Sequence, residues 1–177
     1  MKRVGWSLLH ESLEIRETGR YGKGIFAIND IDIGDILCVM GGQIANTALE
    51  NTTAPLSCQY NMDFSEEFSY CPLDISQVES MPQFFFNHSC APNSGFFDSH
   101  TLVAMRHIAG GDEVCYDYAF CMWSSTLSDS HFVLKCLCGQ ESCRGTIQET
   151  DWCLDTLQQH YANWFMPFLR AKFKDQH

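Results

Sequence analysis

The chain has 177 residues, 45% hydrophobic and 19% charged, with 13 Phe, 4 Trp and 6 Tyr. That is too apolar and aromatic for a disordered protein, and the length suits one domain around one core. Lys and Arg number 11 against 22 Asp and Glu, a formal charge of −11, which argues against direct binding to nucleic acid and suits either a basic partner or simple solubility.

In chain order, residues 24–28 and 36–40 mix β-branched and aromatic side chains between turns at Asn29-Asp30, Ile33-Gly34 and Gly41-Gly42. They predict short strands joined as hairpins. A polar stretch, 45–55, leads into 57–64, where Tyr60-Asn61-Met62-Asp63-Phe64 alternates like a half-exposed strand. The run 83–86 carries three phenylalanines into Asn87-His88-Ser89-Cys90-Ala91-Pro92-Asn93, a loop dense in hydrogen-bonding side chains. Further strands are predicted at 102–106 and 113–118, on either side of a Gly110-Gly111-Asp112 turn. Only the end reads as helical. Leu154, Leu157, Tyr161, Trp164, Phe165 and Phe168 recur at three- and four-residue intervals after a cap at Thr150 or Asp151, until Pro167 ends or kinks the helix. Its apolar stripe is expected to pack on the domain, with a dimer interface or a lid over a substrate groove as alternatives. Nothing approaches the ~18 consecutive apolar residues of a membrane span, and the apolar stretch 4–9 is too short for a signal-peptide core. Ten cysteines without regular spacing point to metal binding and buried thiols in a reducing compartment.

The clearest metal signal is the C-x-C-x4-C cluster of Cys136, Cys138 and Cys143, with turns at Gly139 and Gly145. Tetrahedral zinc needs a fourth ligand. Cys90 is the candidate, in competition with Cys115, Cys121 and Cys153. The polar loop 87–93 reads equally as a ligand site or as a self-bonded loop. Gly22-Lys23-Gly24 lets a ligand approach the backbone closely, but by itself means a turn. Tyr116 and Tyr118, two apart on one strand, point to one face around an outward-turned Asp117. That pair suits a narrow aromatic slot, although structural tyrosines in strands are common.

Taken together and in order, these residues resemble the SET-domain family of protein lysine methyltransferases. Gly22-x-Gly24 is similar to the first cofactor motif and Tyr60-Asn61-Met62-Asp63 to the central tyrosine segment. Asn87-His88-Ser89-Cys90-x-Pro92-Asn93 matches the N-H-S-C-x-P-N signature, residues 113–118 resemble the E-L-x-Y-D-Y strand, and the cysteine cluster running into Arg144-Gly145 resembles a post-SET site. The resemblance spans residues 14–147. It implies a mainly β SET-domain fold of small curved sheets with a C-terminal pseudoknot, a post-SET zinc cluster and a C-terminal helix. The implied divisions are an N-terminal segment (1–13), the SET domain (14–120), a post-SET connection and zinc cluster (121–147) and a helical extension (148–177).

The same resemblance implies S-adenosylmethionine as cofactor, held around Gly22, Lys23 and Gly24 and by Asn87 and His88, with Tyr60 nearby. Tyr118 takes the position of the catalytic tyrosine, and one structural zinc ion falls to Cys90, Cys136, Cys138 and Cys143. Tyr116 stands where the family chooses between phenylalanine and tyrosine, and its hydroxyl implies mono- or dimethylation. Met62, Tyr116 and Phe120 are the expected walls of the lysine channel. The implied partner is a basic, lysine-containing protein or peptide such as a histone tail. The implied setting is soluble and intracellular, nuclear where the host has chromatin and otherwise cytoplasmic or delivered to a host cell. A non-histone peptide, a small amine or a catalytically silent module for basic tails are the alternatives. Gln83 and Phe84 depart from the arginine-phenylalanine pair that precedes the signature in larger histone enzymes, and no pre-SET cysteine array precedes Gly22.

Overall fold

Runs of two to five β-formers, each cut off by a glycine or a polar turn, make strands too short to bury a core unless distant ones pair. The structure is a computed structural model and describes residues 1–46, 60–123 and 133–173. Strands β1 (Lys2–Val4), β2 (Ser7–Leu9), β5 (Ile36–Val39), β10 (Ser94–Phe96) and β11 (Thr101–Ala104) form an antiparallel sheet in the order β1-β2-β5-β11-β10. Strands β3 (Leu13–Glu17) and β4 (Lys23–Ala27) pair as a ribbon, as do β13 (Val133–Lys135) and β14 (Thr146–Gln148). β6 (Ile44–Asn46), β7 (Met62–Asp63) and β8 (Phe68–Tyr70) form a third antiparallel sheet in the order β6-β8-β7. Between these lie β9 (Asn87–His88) and β12 (Cys115–Tyr116), a parallel pair with Asn87 opposite Cys115 and His88 opposite Tyr116. One core, including Leu13, Ile25, Leu37, Phe86, Phe96 and Phe120, runs under the larger sheets and the β9–β12 pair, while Ile147 of β14 packs in a separate small cluster with Cys90 and Cys136.

The expected strands at 24–28, 36–40 and 102–106 are present as β4, shifted by one residue, and as the shorter β5 and β11. The expected hairpins are not. β4 turns back on β3, and β5 joins β2 and β11, because the connection between them carries Ile31 into the core, where it bridges Ile108 in both directions. Likewise the Gly110-Gly111-Asp112 turn does not close a hairpin, since only Cys115 and Tyr116 of residues 113–118 are strand and their partner is β9. The polar stretch 45–55 and part of 57–64 lie largely outside the described residues.

The tail is not one helix. A 3-10 turn at Asp151–Cys153 precedes α1 (Asp155–Tyr161), a second at Ala162–Trp164 follows it, and α2 (Pro167–Arg170) closes the segment. Leu154, not Thr150 or Asp151, caps α1. Pro167 starts α2 at the position where a missing N–H is harmless. Phe165 and Leu169 have no exposed surface, and the Phe165 ring lies 4.8 Å from Phe120 and 5.0 Å from Phe173. Trp164 covers Gly95 so closely that a Cβ there would stand 2.7 Å from the Trp164 Cβ. Apart from the exposed Leu154, the stripe is therefore spent on the domain's own core. Among the described residues no helix is long and apolar enough to cross a membrane.

Phe165→Ala removes a fully buried ring and is expected to cost about 3–5 kcal/mol of unfolding free energy. The urea midpoint reads this directly, and an unchanged midpoint would mean the tail lies outside the cooperative unit.

Candidate active site

The polar loop 87–93 is answered by the segment 113–118. Asn93 accepts the Cys115 N–H at Oδ1 (2.8 Å) and donates from Nδ2 to the Glu113 carbonyl (2.9 Å). The Ser94 hydroxyl donates to the Cys115 carbonyl at 2.9 Å, and the Ser89 N–H to the Tyr116 carbonyl at 3.0 Å. The Tyr118 N–H donates to His88 Nδ1 at 3.2 Å. The loop thus serves neither itself nor a ligand with these groups, but the segment beside it. Among the described residues no buried side-chain nitrogen or oxygen is left without a partner.

One end of that segment is tied to the glycine turn. Glu113 accepts the Tyr21 hydroxyl (2.9 Å) and the Asn87 amide (2.7 Å), and the same amide donates to the Lys23 carbonyl at 3.1 Å. Gly24 lies against this knot, where a Cβ would come within 2.5 Å of Glu113 Oε1 and 2.7 Å of Asn87 Nδ2. Gly22 has φ +83°, a conformation that favours glycine, and open space where its Cβ would be. Tyr60 packs edge-on against Phe84 at 5.9 Å, one residue from the Phe85 ring that lies under the Lys23 ammonium. A cavity of about 240 Å³ opens beside the knot, lined by residues including Arg20, Tyr21, His88, Glu113, Cys138 and Gln140.

At the other end Tyr116 and Tyr118 meet as expected, their rings 5.3 Å apart. The Tyr118 hydroxyl donates to the Phe86 carbonyl at 3.4 Å, and the Tyr116 hydroxyl faces Cys121 Sγ at 3.8 Å. Burial raises both phenols and the Cys121 thiol above their ordinary ranges, so all three are neutral near pH 7. Met62 is buried in the same core as Tyr116. Phe120, expected on the channel wall, has no exposed surface and stacks on Phe165 and on Tyr161 at 5.5 Å, so its ring belongs to the packing beneath the tail. Asp117, expected to turn outward, is also fully buried, because the face opposite the tyrosines is covered by Arg144.

Cys90, Cys136, Cys138 and Cys143 bring their sulfurs within 4.8 Å of one another and could hold a metal ion. Gly139, between Cys138 and Cys143, and Gly145, just past Cys143, take positive φ values of +69° and +78° at the bends of the cluster. Cys115, Cys121 and Cys153 stand outside the cluster. Burial holds the His88 imidazole down to about 4 despite Asp117 nearby, so the ring is neutral. Since Nδ1 accepts from Tyr118, the proton sits on Nε2, which faces Cys90 Sγ at 3.3 Å. The Arg144 N–H points at the same sulfur from 3.4 Å. Glu113, Phe86 and Arg144 were not candidates on sequence. The signal for Glu113 was a carboxylate three residues before Tyr116. For Arg144 it was an arginine beside a ligand cysteine in an acidic chain.

The SET domain family profile matches residues 22–119, more than half of the chain. Over 81% of its length the chain is 39% identical to the Arabidopsis thaliana histone-lysine N-methyltransferase, H3 lysine-9 specific SUVH3, of which it spans 27%. It is 23% identical over 82% of its length to the Caenorhabditis elegans histone-lysine N-methyltransferase mes-4 and spans 18% of that protein. With the Arabidopsis thaliana histone H3-lysine(4) N-trimethyltransferase ATX1 it shares 28% identity over 78% of its length and 13% of the relative's. The chain thus spans less than a third of each of these curated relatives. The matched residues run from the Gly22 turn through the signature loop to the tyrosine pair, and the chain belongs to the SET-domain family.

Proposed function

We propose that the chain is an S-adenosylmethionine-dependent protein-lysine N-methyltransferase that adds one or two methyl groups to a lysine in a basic segment such as a histone tail. The observation that carries this reading is the convergence of the neutral Tyr118 hydroxyl and the Phe86 carbonyl beside the ring of Tyr116. Two oxygens fixed beside an aromatic pair can orient an amine without charging it. S-adenosylmethionine, when bound, supplies a methyl group on a cationic sulfur. The Tyr118 hydroxyl and the Phe86 carbonyl would hold the lysine amine aimed at that methyl group, neutral because its proton has left to solvent. A free lysine has a pKa of about 10.4, and an apolar slot favours its neutral form. Positioning contributes most of the rate, and no side chain need act as a base.

The Gly22–Asn87 corner fits this cofactor because the backbone is bare at Gly22 while the Asn87 amide is engaged inward, toward Glu113 and the Lys23 carbonyl. Gly22, Lys23 and Gly24, the backbone of Asn87 and His88, and Tyr60 are the residues we assign to it. The Tyr116 hydroxyl, held in the slot beside Cys121, takes up room and offers a hydrogen bond to the amine, which favours low methylation. The relatives' names differ in target lysine and one specifies trimethylation, so the degree of methylation is argued from Tyr116 itself. The formal charge of −11 suits a basic segment. For the metal, Zn–S bonds of about 2.3 Å place tetrahedral sulfurs about 3.8 Å apart. Cys90 and Cys136 stand at 3.8 Å, which fits a structural zinc.

Labelled methyl groups from S-adenosylmethionine should appear on lysine in core histones or a whole-cell lysate, and Tyr118→Phe should cut transfer about 10²-fold, as for loss of one preorganised polar group. Cofactor binding with no label on any protein would instead favour a silent module for basic tails. Mass spectrometry should find mono- and dimethyl-lysine, with a shift toward trimethyl-lysine in Tyr116→Phe; rapid trimethylation by the unmodified chain would defeat the argument from Tyr116. Metal analysis should return about one zinc per chain, lost on Cys143→Ser, and metal-free folded protein would remove the cluster assignment.

A further inference from the structure

The Asp117 carboxylate carries no exposed surface, although its residue stands between Tyr116 and Tyr118 in sequence and turns to the face opposite their rings. Its Oδ1 accepts the Ala119 N–H at 3.0 Å and so caps the 3-10 turn Tyr118–Phe120 that Tyr118 begins. The same carboxylate receives both Nη atoms of Arg144, Nη2 at 2.8 Å to Oδ1 and Nη1 to Oδ2. Arg144 is itself mostly buried, with 18% of its side chain exposed. It also grips Asp151 at the root of the tail, through Nε at 3.2 Å and Nη2 at 3.0 Å. Its backbone N–H faces Cys90 Sγ at 3.4 Å, and its sequence neighbour is Cys143. A buried carboxylate is tolerated only when paired and hydrogen-bonded, and a planar fork fixes its orientation as no single-point cation would.

We propose that Arg144 is a positioning residue for Tyr118: its fork sets the Asp117 carboxylate, which sets the turn carrying the tyrosine, so the four-cysteine knuckle and the tail hold the aromatic slot in place through one side chain. Arg144 touches neither the amine nor the cofactor corner. A second tie runs in parallel, from Cys90 through the His88 ring to the Tyr118 N–H. The fork's effect is therefore a graded loosening rather than collapse. The effect on rate rests on the methyltransferase reading given above, whereas the effect on the turn does not.

The test compares wild type with Arg144→Lys, Asp117→Asn and the double variant, each as the full chain with its metal content measured. All four cysteines remain, so each variant should keep the wild-type metal content. Backbone amides of residues 115–121 should exchange with deuterium about tenfold faster in either single variant, while those of β5 and β11 stay unchanged. In methyl transfer, kcat should fall about tenfold with the KM for a histone peptide within about twofold, and the double variant should be no worse than the poorer single one, as for two groups acting as a unit. Arg144→Met should fall further than Arg144→Lys, which keeps the charge; if Arg144→Met does not fold, the near-isosteric Asp117→Asn carries the same readouts. Unchanged exchange at 115–121 in Asp117→Asn and Arg144→Lys would overturn the proposal, as would a rate loss explained by lost metal alone. Faster exchange in a chain that transfers no methyl group even as wild type would uphold the clamp while removing the methyltransferase reading.

Discussion

A polar loop buried in an apolar core persists only if something inside that core answers its hydrogen bonds. Here the segment 113–118 does so almost alone. Asn93, Ser94, Ser89 and His88 each place a bond on its backbone, and the two segments pair in parallel as β9 and β12. Parallel neighbours require a crossover, which the chain makes with the β10–β11 hairpin rather than a helix. The hairpin in turn joins the five-stranded sheet through β5. Few alternative pairings would leave so little unsatisfied, which is how strands of two residues come to have a defined register.

Because side chains alternate along an extended segment, that one segment serves three neighbours. Glu113 reaches the glycine turn through Tyr21 and Asn87, Tyr116 and Tyr118 bring their rings together, and Asp117 turns the other way into Arg144. The departure at Gln83 belongs to the same economy of polar contacts. Gln83 is buried, accepting from the Ser7 hydroxyl at 3.1 Å and donating to the Gly41 carbonyl at 3.0 Å, so it ties β2 to the turn after β5. Its place is inside the fold.

Much of the site was legible in the sequence because its chemistry sits in residue types with few other uses at that spacing. The C-x-C-x4-C cluster needed a fourth thiolate, and Cys90 is the one that the structure brings within reach. Tyr116 and Tyr118 were readable from a two-residue period alone. The pairing was not legible, since β-branched runs say that a strand forms but not with what. Thus β4 and β5 looked like a hairpin until Ile31 was found bridging Ile108. Asp117 was misjudged for a related reason. Alternation put it on the face away from the tyrosines, but whether that face meets water or an arginine 27 residues later is a property of the tertiary fold. The tail's periodicity was read correctly as apolar packing and wrongly as one helix, because three- and four-residue spacing is also met by short turns reset at Leu154 and Pro167.

Two-stranded pairs are marginal in water, and two-residue ones more so, so the slot needs cover from elsewhere. The residues matched to the SET domain, 22–119, contain every group proposed to touch cofactor or amine, yet much of what immobilises them lies outside. Phe165 packs beneath Phe120, two positions past Tyr118. Asp151 shares Arg144 with Asp117 from the other side. The Trp152 ring lies 5.5 Å from that of Trp123, whose backbone N–H donates to Asp63 next to Met62, and Lys172 sits 4.4 Å from the Trp123 ring and salt-bridges Glu66. The knuckle and the tail therefore act on one short turn from two directions. A candidate site built on strands this short is only as rigid as the segments folded over it, and residues past the family core are among those segments even though none of them is proposed to meet a substrate.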